Sequence, residues 1–339
     1  MAQAGPTEFL YGFAELERAH KNVVMFEEGE IGSGRPWPRA LEALSARLAG
    51  LLGVSPRLAI QLDAALSRQL ASYDVLVATT QSIGVSLAAL RALGRHDKRL
   101  VIMTMGLISP DARNWKRALF RRMLAGADLA ALSRQEAAWL RTWIGAQTEV
   151  HNFTFGVDLD FWTPEGAVGE EVLSIGNDPA RDFATLLAAW RPEFPLLRII
   201  TSRQIVTDKP NIVIERGDWR SAALSDEDIR ERFRKARLVV TPVIDTIQPS
   251  GQSATLQAMA CGRPVIMTHN RGLWDVDFMN PTVCRLVPPG DSGALSQAIQ
   301  TVLEDRAGAE AMGQAARRAM VEQDVSSAAM ARQIEALAS

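Results

Sequence analysis

The chain reads as an α/β protein built on doubly wound parallel sheets, and three observations predict this. Short apolar runs alternate with amphipathic stretches at helical spacing, as strands do when helices cover both faces of a parallel sheet. The 339 residues, 47% of them hydrophobic, are enough for two cores rather than one. The alternation breaks once, across residues 151–164 (HNFTFGVDLDFWTP), where Gly156, aspartates and Pro164 mark a seam between two domains.

Before the seam, strands are expected at 22–26, 74–78, 100–105 and 129–132. After it they are expected at 172–176, 197–201, 212–215, 238–243, 264–267 and 284–287. The opening residues MAQAGPTEFLYGFAELERAH read as a short polar lead followed by a helix. Ser225 to Lys235 is a capped surface helix, acidic at its start and basic at its end, which complements its own dipole and needs no further role. The glycine cluster at 29–34 lacks the spacing of a dinucleotide-binding loop.

Charge and composition exclude several classes. A formal net charge of −2 argues against a nucleic-acid-binding surface, which leaves a basic excess. The two cysteines, Cys261 and Cys284, have no metal-ligand spacing, so a reducing cytoplasm is the expected compartment. No apolar run approaches the roughly 18 residues of a transmembrane helix, and the start of the chain has no signal-peptide pattern. The segment 113–124 interleaves Arg113, Lys116, Arg117, Arg121 and Arg122 with Trp115, Phe120 and Leu124. It reads either as a packed helix with a solvated basic face or as a peripheral contact with the inner face of an anionic membrane.

The most informative stretch is 249–267, PSGQSATLQAMACGRPVIM. A Gly-bearing turn opens a short helix, Gly262 ends it, and Pro264 leads into an apolar strand. Ser250, Gly251, Gln252 and Ser253 stand at the helix N-terminus, where unsatisfied N–H groups and the helix dipole favour a diphosphate. A plain turn and helix of an α/β domain has the same local pattern.

This segment resembles the sugar-nucleotide motif of retaining glycosyltransferases of the GT-B fold (glycosyl transferases group 1, family 4-like). Residues 257–266, QAMACGRPVI, follow the family's Glu-Ala-Met-Ala-x-Gly-x-Pro-Val-Ile, with Gln257 in place of the glutamate. Gln248 similarly replaces the glutamate of the preceding turn. Residues 155–164 resemble the family's linker. Residues 173–183 resemble its first C-terminal strand and loop, with Asn177 in the position of an arginine and Arg181 in that of a lysine. Met105 stands where many members carry a donor-contacting histidine.

The resemblance implies two Rossmann-like domains facing a central cleft. Residues 1–160 would form an acceptor-binding domain and 161–320 a nucleotide-sugar-binding domain, with a helix at 321–339 crossing back to the first. It also implies a hexosyltransferase that retains configuration and needs no metal, with a nucleotide sugar, a UDP-sugar in the first instance, as donor. A glycan, glycolipid or secondary metabolite of a bacterial cell would be the acceptor. Arg181 is expected to grip the diphosphate bidentately, with Arg203 and Arg263 as weaker candidates. Gln257 is expected at the ribose and the 216–219 loop, beginning Arg216-Gly217, near the base. Asp245 would either supply the carboxylate that Gln248 lacks or cap its own turn. On this pattern Gln257→Glu should tighten nucleotide binding. The competing reading is an inactive homologue acting as a binding or scaffolding partner, since the histidine, both glutamates and one phosphate-binding arginine are all replaced.

Overall fold

The structure is a computed structural model and describes residues 5–20, 22–26, 31, 38–217 and 224–339. Most of the 29–34 glycine cluster, and Asp218 and Trp219 of the expected base loop, lie outside the described residues. The chain divides into two compact units. One is Glu15–Phe153 with Arg332–Ser339; the other is Thr154–Ala331 together with the residues up to Ala14. The start of the chain therefore groups with the C-terminal half, whereas the sequence reading placed it in the N-terminal domain.

The first unit carries a four-stranded parallel sheet in the order β1-β2-β3-β4. Its strands are β1 (Val75–Ala78), β2 (Arg99–Thr104), β3 (Asp128–Ala131) and β4 (Glu149–Asn152). The helices along this part of the chain are α1 (Phe13–Ala19), α2 (Arg39–Leu52), α3 (Pro56–Leu66), α4 (Gln81–Ala92), α5 (Asn114–Met123) and α6 (Arg134–Arg141). Leu62, Ala88, Leu100, Ile102, Leu129 and Leu140 are fully buried at its centre. A Cβ on Gly84 would stand 2.3 Å from the Ile102 side chain, so glycine lets α4 lie close against β2. The expected strand at 22–26 does not form. There the Met25 N–H donates to Glu17 Oε1 (3.0 Å) instead of to a ladder, and Phe26 packs edge-on against Tyr73.

The second unit carries a six-stranded parallel sheet in the order β10-β9-β8-β5-β6-β7. Its strands are β5 (Val172–Ile175), β6 (Leu197–Ile200), β7 (Ile212–Glu215), β8 (Leu238–Thr241), β9 (Val265–Thr268) and β10 (Arg285–Val287). Helices α7 (Phe183–Ala189), α8 (Asp226–Lys235), α9 (Gln252–Ala260), α10 (Ser292–Glu304), α11 (Arg306–Glu322) and α12 (Ser327–Ala338) follow in chain order. Chain direction across the sheet reverses at β5, which pairs with β6 on one side and β8 on the other. In such sheets ligands bind beyond the carboxyl ends of the strands at that switch point. α9 follows β8 there and is buried on all sides, from Ala254 through Ala260. A helix so enclosed must satisfy any polar side chain internally.

Candidate functional site

A cavity of about 580 Å³ opens at this switch point, within the range of small-ligand sites. Its walls come from the loops after β5 and β7, from the end of β6, from the starts of α8 and α9, and from Phe9 and Trp162. Arg181, Gly217, Gly251, Ser253 and Gln257, all expected at the site from sequence, line it together. Asn177, Asp178 and Asp226 join them. Burial raises the Asp226 carboxyl above its ordinary value, and the neighbouring Glu227 adds to the effect.

Arg181 is the cationic centre. Its side chain is almost wholly buried, and its Nε forms an ion pair with Asp178 Oδ2 at 3.0 Å. Its Nη1 is a buried donor with no hydrogen-bond partner. Burial lowers the guanidinium from its ordinary value while Asp178 pulls it back up, and arginine stays a cation throughout. A Cβ on Gly176 would stand 2.2 Å from Arg181 Nε, so this loop must be glycine for the guanidinium to fit. Gly251 closes the other side. It sits at φ +81° and caps α9, and a Cβ there would lie 2.5 Å from Thr241 Cγ2 and 3.2 Å from Arg181 Nη1. An unpartnered guanidinium donor thus lies beside a helix N-terminus whose first-turn N–H groups lack intrahelical partners, and this combination suits a multiply charged anion.

The remaining expected residues have other partners. Arg203 Nη1 donates to the Arg181 carbonyl at 2.6 Å while its guanidinium lies over the Phe183 ring, so it braces the loop that carries Arg181. Ser250 Oγ hydrogen-bonds Asp178 Oδ1 and ties the two loops together. Gln252 is buried, with an Nε2 that has no hydrogen-bond partner. Arg216 is exposed beside the cavity-lining Gly217. Asp245 is held by Arg271, whose Nε donates to Oδ2 at 2.9 Å and whose N–H donates to Oδ1 at 3.2 Å. Gln248 is exposed; its carbonyl accepts from the Ser250 N–H at 2.7 Å. Neither Asp245 nor Gln248 lines the cavity. Arg263 donates from Nε to the Cys261 carbonyl at 3.0 Å.

Sequence reasoning missed Glu8. Its carboxylate is fully buried in this unit: Oε1 accepts from Gln257 Nε2 at 2.9 Å and Trp162 Nε1 at 2.7 Å, and Oε2 accepts from the Asp158 N–H at 3.2 Å. Burial raises its pKa above the ordinary value, and the hydrogen bonds, that of Gln257 first among them, pull it part of the way back. Among the described residues one cluster brings three potential metal ligands within 4.8 Å of one another, namely Asp128, Glu149 and His151. It lies on β3 and β4 of the other unit and contributes nothing to this cavity.

The chain has the GT-B fold, with two Rossmann-like domains. Residues 209–305 match the family model of glycosyl transferases group 1. Among solved structures, sucrose-phosphate synthase from Thermosynechococcus elongatus superposes with a TM-score of 0.69 at 22% identity, over 91% of this chain and 81% of that one. The Anabaena protein HepE in complex with UDP gives 0.65 at 17% identity, over 99% and 97%. A glycosyltransferase from Rickettsia africae gives 0.62 at 14%, over 96% and 86%. No curated protein sequence matches the chain.

Proposed function

We propose that the protein is a retaining hexosyltransferase that takes a UDP-sugar as donor without a metal and passes the sugar to a glycan, glycolipid or secondary-metabolite acceptor in a bacterial cytoplasm. The observation that carries this reading is the buried, unpartnered Arg181 Nη1 beside the N-terminus of α9. In retaining transfer the leaving diphosphate gains charge as the sugar becomes oxocarbenium-like. Fixed donors stabilise that charge with little reorganisation. The UDP and UDP-glucose bound by HepE support the choice of nucleotide. The sequence resemblance supports retention.

UDP is expected to bind in excess chelator with the same affinity as in added magnesium, because a guanidinium and N–H groups replace a bridging cation. Calorimetry checks this, and binding that appears only with magnesium or manganese would overturn it. Release of UDP from UDP-sugars in the absence of acceptor separates the enzyme from an inactive homologue. The inactive reading draws on the replaced histidine, glutamates and arginine, and on Asp245 and Gln248 standing outside the cavity lining.

A peripheral membrane contact belongs to the same proposal. In α5, Phe120 and Met123 are buried, Arg117 lies over Trp139 at 4.8 Å, and Arg121 Nε donates to the Trp143 carbonyl. Arg113, Trp115 and Arg122 remain exposed. At about 1 kcal/mol for each basic residue near an anionic surface, two arginines give weak attachment. The protein is therefore expected to sediment with phosphatidylserine vesicles at low ionic strength and to leave them near physiological salt. No sedimentation at low salt would leave α5 as a solvated face.

A further inference from the structure

The carboxylate missing from position 257 is present in the structure, brought in from the start of the chain. Residues 7–12 form a strap on the six-stranded unit. Thr7 donates to Asp158 Oδ2 from its N–H and its hydroxyl, both at 3.2 Å, while the Asp158 N–H donates back to Glu8 Oε2. The Tyr11 ring meets Phe155 edge-on at 5.8 Å. A Cβ on Gly12 would stand 2.3 Å from the Ala331 nitrogen, so the strap passes too close there for any other residue. These contacts place Glu8 behind Gln257 and Phe9 in the cavity wall.

A side-chain amide has a donor end and an acceptor end, and a carboxylate tells them apart. With Glu8 Oε1 accepting from Gln257 Nε2, the reverse orientation would set the amide oxygen against carboxylate oxygens. That would lose a charge-assisted bond and create a repulsion between acceptors inside the protein. The amide is thereby fixed with its carbonyl turned from Glu8, on a residue that lines the cavity. Glu8 is fully buried and fixed on three donors, so it acts through Gln257 and does not touch the ligand itself.

We infer that Glu8 is a positioning residue of the nucleotide site, holding the Gln257 carbonyl toward the cavity as an acceptor for the ribose hydroxyls. Selectivity for ribose over deoxyribose is then set by a residue on the N-terminal strap. This rests on the proposed nucleotide-binding function.

The test uses the full chain and compares dissociation constants for UDP and 2′-deoxy-UDP. The parent should favour UDP by about three- to tenfold, the effect of one net hydrogen bond. Gln257→Ala should bring the ratio close to one. Glu8→Ala should do the same although it alters no cavity-lining side chain, and combining the two should lower the ratio no further. Glu8→Gln keeps an acceptor for Gln257 Nε2 and should restore most of the preference, which a general loosening of the strap would not do. If Glu8→Ala does not fold, the contrast between Gln257→Ala and Glu8→Gln decides. A ratio unchanged in Glu8→Ala, or abolished in Glu8→Gln, overturns the inference while leaving nucleotide binding intact. A parent that binds neither nucleotide overturns the functional reading and this inference with it.

Discussion

Arg181→Ala is expected to weaken UDP binding by about two orders of magnitude and donor turnover by about two to three. Removing one preorganised donor to a developing oxyanion typically costs about 2.7–4 kcal/mol, and Arg181 offers several N–H groups on a single charge. The loss goes beyond the missing cation. Asp178 would keep its hydrogen bond to Ser250 but lose its ion-pair partner, leaving a carboxylate where the diphosphate must sit. Arg181→Lys should recover only part of the affinity, because an ammonium cannot grip two oxygens in the plane of a guanidinium. Thermal stability should change less than binding does, because relief of a buried guanidinium with an unsatisfied Nη1 is set against loss of the Asp178 ion pair. Calorimetry with UDP and a melting curve check both halves. An Arg181→Ala variant that binds UDP like the parent would show that the diphosphate lies elsewhere.

How far the sequence revealed this site depended on how far apart its parts lie in the chain. The strands of the six-stranded sheet were legible because each is a short apolar run bounded by turn residues, and burial on both faces keeps them uninterrupted. Arg181 and Gln257 were legible because they stand in a local motif whose spacing is set by one loop and one helix. β4 was not, since Glu149-Val150-His151-Asn152 is an edge strand too polar to read as one. Asp245 read either as the carboxylate that Gln248 lacks or as a cap of its own turn, and the partner that holds it, Arg271, stands 26 residues further on. Glu8 was the extreme case, separated from Gln257 by 249 residues. Nothing in the composition of an N-terminal Thr-Glu-Phe marks its glutamate as buried. The signal that existed was indirect: a neutral glutamine in place of a carboxylate leaves a charge to be supplied from elsewhere.

That charge reverses the expectation for Gln257→Glu. The family pattern alone predicts tighter nucleotide binding from restoring the glutamate. With Glu8 Oε1 already 2.9 Å from the side chain of residue 257, the substitution instead sets two buried carboxylates against each other and removes one of the donors that hold the Glu8 charge. Unpaired buried charge is costly, about 3–5 kcal/mol when one partner of a buried pair is lost. The pair relieves it by sharing a proton, as close carboxylates do. Burial already raises the Glu8 pKa in the parent, and the second carboxylate raises the pair's upper value further. The folded state then binds a proton that the unfolded chain releases at ordinary carboxylate pKa values. The sign follows: stability is held below those values and is lost as pH rises through the raised one. Gln257→Glu should therefore melt below the parent near neutral pH, approach it as pH falls toward the ordinary carboxylate range, and bind UDP more weakly at neutral pH. Adding Glu8→Gln supplies an amide donor to the new carboxylate but takes the acceptor from Trp162 Nε1, so it should restore part of the stability and remove the pH dependence. The measurement is melting temperature against pH for the parent, the single variant and the double variant. A single variant that matches the parent at neutral pH would mean that Glu8 does not face residue 257 in solution.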